Sequence, residues 1–202
     1  MLKLYYTPGG CSISPHIALR EAALPFSLEK VDFQSGKKLA DGTSFLKVNP
    51  KGYIPALGLP DGQVLTEGVA IVQYIADLKP KAGLAPPPGT FDRVRLHEWL
   101  NFIATEMHKG LSPLLAQNVP DEYKQAAKEK LASRLAYAAH LIGSKEYVLG
   151  RQFSVADGYL FYVLRTWQRA VKGELLDGLA PYYQRLASRP SVKAALEAEG
   201  LS

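Results

Sequence analysis

Cys11 is the only cysteine in this 202-residue chain. It follows a strand-like run, Leu2-Lys3-Leu4-Tyr5-Tyr6, and a turn at Thr7-Pro8-Gly9-Gly10. It stands where a helix, expected over Ser12 to Ala23, begins. A helix N-terminus gathers unpaired backbone N–H groups and the positive end of the helix dipole. Both favour a thiolate and lower a cysteine pKa. Gly9 and Gly10 leave room for a substrate, while Ser12 and Ser14 add hydroxyl donors. The alternative is a buried, inert cysteine, a common state for this residue. Position 14 is Ser, so no Cys-x-x-Cys exists and any redox cycle needs an external thiol. One cysteine also excludes an intramolecular disulfide framework. The four histidines, His16, His97, His108 and His140, form no tight ligand-like cluster, and no metal is expected.

Four further groups could touch a ligand. Ile54-Pro55 opens an apparent strand, where proline removes a ladder donor and marks an edge or a special backbone. A cis bond there would turn the Ile54 backbone toward an extended ligand, although most X–Pro bonds are trans. Thr66-Glu67-Gly68 opens a helix whose N–H groups could hold a carboxylate, with Glu67 free to hold an ammonium group. Taken alone, Glu67 reads better as an ordinary acidic residue favouring a helix start. In the second half, Asn101, Glu106, His108 and Lys109 share one helical stretch. There Glu106 and Lys109 could form a surface pair, and His108 could be a bystander. Tyr6 is a core aromatic or a hydroxyl donor aimed at a sulfur.

The elements that must carry these residues read as two parts. The first eighty residues alternate. A strand, a helix and a second strand from Phe26 to Phe33 suggest a parallel pair with a crossover. An irregular short helix near Phe45-Leu46 follows. Ile54–Leu57 and Gln63–Leu65 then form an antiparallel hairpin around Pro60-Asp61-Gly62, and a helix runs from Glu67 to Leu78. Lys79-Pro80 and Ala85-Pro86-Pro87-Pro88-Gly89 form a proline-rich connection. Everything beyond it has helical spacing. One long segment carries Val94, Trp99, Phe102, Ile103 and Met107, and another carries Ala127, Leu131, Leu135, Ala138 and Ile142. A third opens at Ser154-Val155-Ala156-Asp157, a capping-box pattern. It is apolar on most sides, as a bundle centre would be. Short helices near Pro181–Ser188 and Pro190–Glu199 end the chain. The expected organisation is a domain at 1–80, a linker at 81–89 and a helical domain at 90–202.

Composition restricts the class. Hydrophobic residues make up 47% and charged residues 21%, an ordinary globular balance. No stretch approaches the ~20 apolar residues of a membrane span. Nor does the N-terminus have a charged leader before an apolar run, so a cytoplasmic location is expected. The net charge of +5 comes from scattered basic residues without a stripe of interleaved aromatics, which argues against nucleic acid as a partner.

Taken in order, Tyr6-Thr7-Pro8-Gly9-Gly10-Cys11-Ser12, Asn49-Pro50-Lys51-Gly52-Tyr53-Ile54-Pro55, Leu65-Thr66-Glu67-Gly68-Val69-Ala70-Ile71, Glu98-Trp99-Leu100-Asn101, His108-Lys109-Gly110 and Phe153-Ser154-Val155-Ala156-Asp157 resemble bacterial beta-class glutathione transferases over essentially the whole chain. The resemblance implies an α/β thioredoxin-like N-terminal domain, ordered βαβ-α-ββα, and an all-α C-terminal helical bundle domain. It implies a homodimer and glutathione as co-substrate, without a metal. By analogy Pro55 is cis and the Ile54 backbone pairs with the cysteinyl part of glutathione. Glu67 and the Gly68 N–H hold the γ-glutamyl end, and Lys37 approaches the glycyl carboxylate. Asn101 and the stretch Thr105, Glu106, His108 and Lys109 line the site from the second domain, with Glu106 reaching the partner subunit's ligand. Cys11, Ser12, Tyr6 and His108 surround the sulfur. One departure is Gly158, where relatives often carry a bulky residue that staples the helix start. The turn is then less stable by some tenths of a kcal/mol.

The implied chemistry is attack of a glutathione thiolate on a hydrophobic electrophile, in detoxification. Cys11 adds a route through a mixed disulfide with glutathione, as in thiol transfer or reductase chemistry, and dehalogenation is a further route within the same fold. A non-catalytic binding protein of this fold is the rival from another class, but it would be expected to lose Cys11, Pro55, Glu67 and His108.

Overall fold

The computed structural model describes residues 1–201, and the chain forms two compact units. The first unit contains residues 1–84 and 189–201 of that range. Its sheet has the order β2-β1-β3-β4. Strand β1 (Leu2–Tyr6) runs parallel to β2 (Phe26–Lys30), Leu2 facing Phe26 and Tyr6 facing Lys30. Helix α1 (Ile13–Glu21) supplies the crossover that a parallel pair requires. Strands β3 (Ala56–Gly58) and β4 (Val64–Thr66) form the antiparallel hairpin, with β3 beside β1. The strand expected from Ile54 starts two residues later, after Pro55, which has no N–H for the ladder. Helix α2 (Gly68–Leu78) completes the unit's βαβ-ββα order. The apolar residues alternate or recur as the sequence requires: Leu4, Ile13, Ile17, Leu57, Ile71 and Ile75 are all fully buried. A second buried cluster of Val31, Phe45 and Ala56 sits under Tyr5, Val48 and Ile54.

The second unit, residues 85–188, is helical. It contains α3 (Phe91–Phe102), α4 (Lys109–Leu115), α5 (Asp121–Ile142), α6 (Val155–Arg169) and α7 (Leu179–Ala187). The single helix expected through Met107 is interrupted. Between α3 and α4 the chain winds as a π-helix over Ile103–His108. Every residue of α6 from Val155 to Leu164 is buried, as expected for the bundle centre. Its capping box forms. Asp157 is wholly buried and accepts from the N–H groups of Ser154 (2.8 Å) and Val148 (2.9 Å) and from the hydroxyls of Ser154 (2.7 Å) and Tyr182 (2.6 Å). Burial nevertheless raises its carboxyl above the usual carboxylate range.

The closing helix α8 (Pro190–Ala198) groups with the first unit. Charge pairing accounts for this. Arg189 clamps Glu21 of α1 through Nε (2.7 Å) and Nη2 (2.9 Å), and the Ser191 hydroxyl also bonds to Glu21. Just past α8, the buried Glu199 meets His16 of α1 at 2.9 Å.

Candidate active site

In the first unit the site is built around the turn after β1. The Gly10 N–H closes that turn on Thr7 O at 2.9 Å. Ser12 is fully buried, and its Oγ lies 3.3 Å from both the N and the O of Thr7. The Ser12 hydroxyl therefore fastens the turn and is not the free donor expected from the sequence. Ser14 Oγ is buried without a hydrogen-bond partner among the described residues. The Gly9 N–H donates to Glu199 Oε2 at 3.0 Å. Arg20 Nε donates to His16 Nε2 at 3.0 Å, which leaves His16 Nδ1–H to donate to the other oxygen of Glu199. Nothing in the local sequence announces this clamp, whose ends lie 190 residues apart.

Cys11 is half-buried and stands two residues before the first residue of α1. Its thiol donates to Ile54 O at 3.3 Å. Burial pushes the thiol up to about 11, against the pull of the Cys11 and Ser12 N–H groups. This corrects the expectation of a lowered pKa. The sulfur sits ahead of the helix, and desolvation of the charged form outweighs the two nearby donors. Tyr6, at the end of β1, is also raised, by burial and then by the charge of Glu199.

Gly10 lets the next loop come close, since a β-carbon there would lie 2.8 Å from Ile54 Cδ1. That loop is fixed by buried Asn49, whose side-chain amide donates to Tyr53 O at 2.7 Å and whose Oδ1 accepts from the Lys51 N–H at 3.1 Å. The Ile54–Pro55 bond is cis. The Pro55 ring faces Gly68, the first residue of α2, with Cγ 3.7 Å from where a β-carbon would be. Glu67 precedes it at φ 69°, a left-handed conformation uncommon for a non-glycine residue, and no side chain caps α2. The exposed Glu67 carboxylate pairs with Lys51 Nζ at 2.7 Å, and Lys51 also reaches Thr66 Oγ1 at 3.1 Å. Lys51 was not among the expected site residues, although it lies in the motif that precedes the cis proline. Lys37 Nζ lies over the rings of Phe33 (5.7 Å) and Tyr53 (5.6 Å). Gly52, at φ 68°, makes space for it, because a β-carbon would sit 2.8 Å from that Nζ. Cys11, Ile54, Pro55, Gly68 and Glu67 thus follow one another along this unit, with Lys37 beside Tyr53.

In the second unit the π-helical turn carries Thr105, Glu106 and His108, and Lys109 follows. Such turns recur at functional sites. Asn101 is exposed, and its carbonyl accepts from the Thr105 hydroxyl at 2.9 Å. Glu106 pairs with Arg134 of α5 at 3.0 Å. Thr105, Glu106, Lys109, Tyr123, Lys130 and Leu131 line a cavity of about 300 Å³. His108 Nδ1 lies 2.6 Å from the Tyr159 hydroxyl of α6, and the Tyr159 and Tyr162 rings stand edge-on to the imidazole at 5.6 and 5.0 Å. Burial, and then the charge of Lys109, push His108 down to about 4, so the ring is neutral at pH 7. Tyr162, Trp167 and Leu111 are buried in this unit. Tyr159 and Arg134 were not anticipated, since their roles come from packing between helices distant in sequence. Among the described residues there is no group of three or more His, Cys, Asp or Glu suited to a metal, and no helix is long and apolar enough to cross a membrane.

Comparison with known proteins matches both parts. The glutathione S-transferase N-terminal domain matches residues 10–78, and the glutathione S-transferase C-terminal domain matches residues 105–199. The chain belongs to the glutathione S-transferase family. It is similar to Glutathione S-transferase GstA of Escherichia coli O157:H7, 46% identical across 99% of this chain and all of that one. Among solved structures it is similar to a bacterial beta-class glutathione S-transferase of Sphingomonas chungbukensis, with TM-score 0.94, 46% identity and 99% and 100% of the two chains covered. It is equally similar in fold to a sphingomonad glutathione S-transferase complexed with glutathione, with TM-score 0.94, 44% identity and the same coverage. The likeness to the bacterial beta class and the two-part fold are both borne out.

Proposed function

We propose that the protein is a glutathione transferase that holds glutathione along the cis-proline loop and the start of α2, and uses its thiolate to attack a hydrophobic electrophile. The observation that carries this reading is the first unit's unbroken run of Cys11, Ile54, cis-Pro55, Gly68 and Glu67. The Ile54 backbone takes the cysteinyl part. The uncapped N–H groups of α2 take the γ-glutamyl carboxylate and Glu67 takes its ammonium, with Lys51 holding Glu67 in place. Lys37 takes the glycyl carboxylate. The second unit contributes Asn101, Thr105, Glu106 and Lys109 as polar contacts and His108 as a neutral hydrogen-bond donor. Cys11 is a thiol at neutral pH, and on glutathione binding its one S–H turns from Ile54 O toward the ligand sulfur. Tyr6 lies next to the same turn, while Ser12 acts through it. The sphingomonad relative's complex with glutathione supports the reading. A cytoplasmic homodimer engaged in detoxification completes it.

The test is glutathione-dependent turnover of an aryl halide by wild type, Glu67→Gln, Cys11→Ala and His108→Ala, with intact mass after incubation with oxidised glutathione. The reading expects turnover by wild type, a raised KM for glutathione in Glu67→Gln and a lowered kcat in His108→Ala. Absence of both turnover and retention on immobilised glutathione refutes it. A wild-type-only adduct of one glutathione, with disulfide turnover lost in Cys11→Ala, would instead make Cys11 the nucleophile of thiol–disulfide exchange.

A further inference from the structure

Resting on the reading of His108 as a donor at the reacting sulfur, a second residue determines what that ring can offer. A neutral imidazole has one N–H, and the partner of one nitrogen decides which nitrogen carries it. Among the described residues His108 has one such partner, the Tyr159 hydroxyl, 2.6 Å from Nδ1. Two arrangements fit this contact. Either the phenol donates to a bare Nδ1, or an Nδ1–H donates to the phenol oxygen. Phenol is the stronger donor and imidazole nitrogen the stronger acceptor. The distance is also at the short end for a hydrogen bond from O–H.

The surroundings hold this pair in register. Tyr159 is 6% exposed on the buried face of α6, so its ring cannot follow a moving imidazole. The Tyr162 ring also packs against the imidazole in a T-shaped pair, with centroids 5.0 Å apart. His108 itself belongs to the π-helical turn, whose winding places it on the α6 side while Glu106 of the same turn pairs with α5. No protein group bonds Nε2 among the described residues, and Nε2 is not among their sealed, unpartnered polar atoms. It is therefore the end of the ring left for a ligand. Desolvation keeps the imidazolium down to about 4, so the ring enters catalysis neutral and a defined tautomer is its whole chemical identity.

We propose that Tyr159 is a positioning residue for the transferase reaction: its hydroxyl donates to Nδ1 of His108, fixing the tautomer that presents Nε2–H as a hydrogen-bond donor to sulfur. Without that bond the ring can flip or exchange tautomers, and half of its states then offer a lone pair, which repels a thiolate.

The experiment combines nitrogen-15 NMR of the histidine side chains with steady-state kinetics. Wild type, Tyr159→Phe and His108→Ala are compared, His108→Ala serving to assign the resonances. In wild type His108 should appear as a single Nε2–H tautomer at pH 7.5. In Tyr159→Phe, which keeps the buried ring, the two nitrogens should average toward a mixture. With an aryl halide as electrophile, kcat of Tyr159→Phe should fall about 3- to 30-fold while the KM for glutathione stays within twofold. An Nδ1–H tautomer in wild type overturns the proposal, as does an unchanged tautomer in Tyr159→Phe. Loss of kcat in His108→Ala but not in Tyr159→Phe overturns the role of Tyr159 alone. Unchanged kcat in both variants defeats the reading of His108 on which it rests.

Discussion

The depressed pKa of His108 makes a claim about stability that needs no substrate. In the folded chain the imidazole is pushed down to about 4, and its unperturbed value is 6.5. Between those values the unfolded chain binds a proton that the folded chain refuses. Stability from this group is therefore fully present above pH 6.5, falls as pH drops through the window, and levels off below about 4. From the two values, the loss on going from pH 7.5 to pH 5.0 is about 2 kcal/mol. It grows to about 2.5 kcal/mol at pH 4.5. The assay is urea unfolding of wild type and His108→Gln at each pH, read as a difference of differences so that carboxylate titrations common to both cancel. Wild type should lose about 2 kcal/mol more than the variant between pH 7.5 and 5.0. Equal losses in the two proteins refute the reasoning, because they would mean that His108 is solvated enough to protonate in the fold. An NMR titration midpoint near 6.5 for His108 would refute it directly.

Three other outcomes follow from the geometry. Asp157→Ala leaves two backbone N–H groups and two hydroxyls without their acceptor, so it should cost about 3–5 kcal/mol in denaturant unfolding, a value in the upper tail for single substitutions; a cost below 1 kcal/mol would contradict that buried hydrogen-bonding. Alkylation of Cys11 by iodoacetamide should quicken about tenfold per pH unit from pH 7 to 10, as expected for a thiol at about 11; a plateau beginning below pH 8 would restore the thiolate expected from the helix start. Lys51→Met should change stability by less than about 1 kcal/mol, because its ion pair with Glu67 is exposed on both sides, yet raise the KM for glutathione severalfold; an unaltered KM would remove Lys51 from the ligand site.

The sequence carried the first unit's order because its periodicity is local. Leu2 and Leu4 alternate in β1, the hairpin turn is written as Pro60-Asp61-Gly62, and the glycines ahead of Cys11 end the first strand. The capping box of α6 was legible for the same reason, since Ser154 and Asp157 are three residues apart. What stayed hidden depends on partners distant in the chain. The spacing of Trp99, Ile103 and Met107 suits an α or a π winding, so the π-helical turn has no signature of its own. The apolar face of α8, Val192 and Ala195, does not say which unit it covers. That choice is made by Arg189 with Glu21 and Glu199 with His16, more than 160 residues apart in each case.

Cys11 shows why position in a motif does not fix reactivity. The sequence places it at a glycine turn before a helix, and that much is right. Whether its sulfur carries charge depends on how deeply it is buried, and here burial pushes the thiol up to about 11. Burial leaves a thiol that donates to a carbonyl, and the uncapped start of α2 in the same unit is a further donor. Polar groups that offer hydrogen atoms suit a site meant to stabilise an incoming thiolate more than one meant to supply its own. On that logic the nucleophile belongs to glutathione. Cys11→Ser, which keeps a donor of similar size, should then retain more conjugating activity than Cys11→Ala. If the two variants instead lose activity equally, the sulfur itself takes part in the reaction.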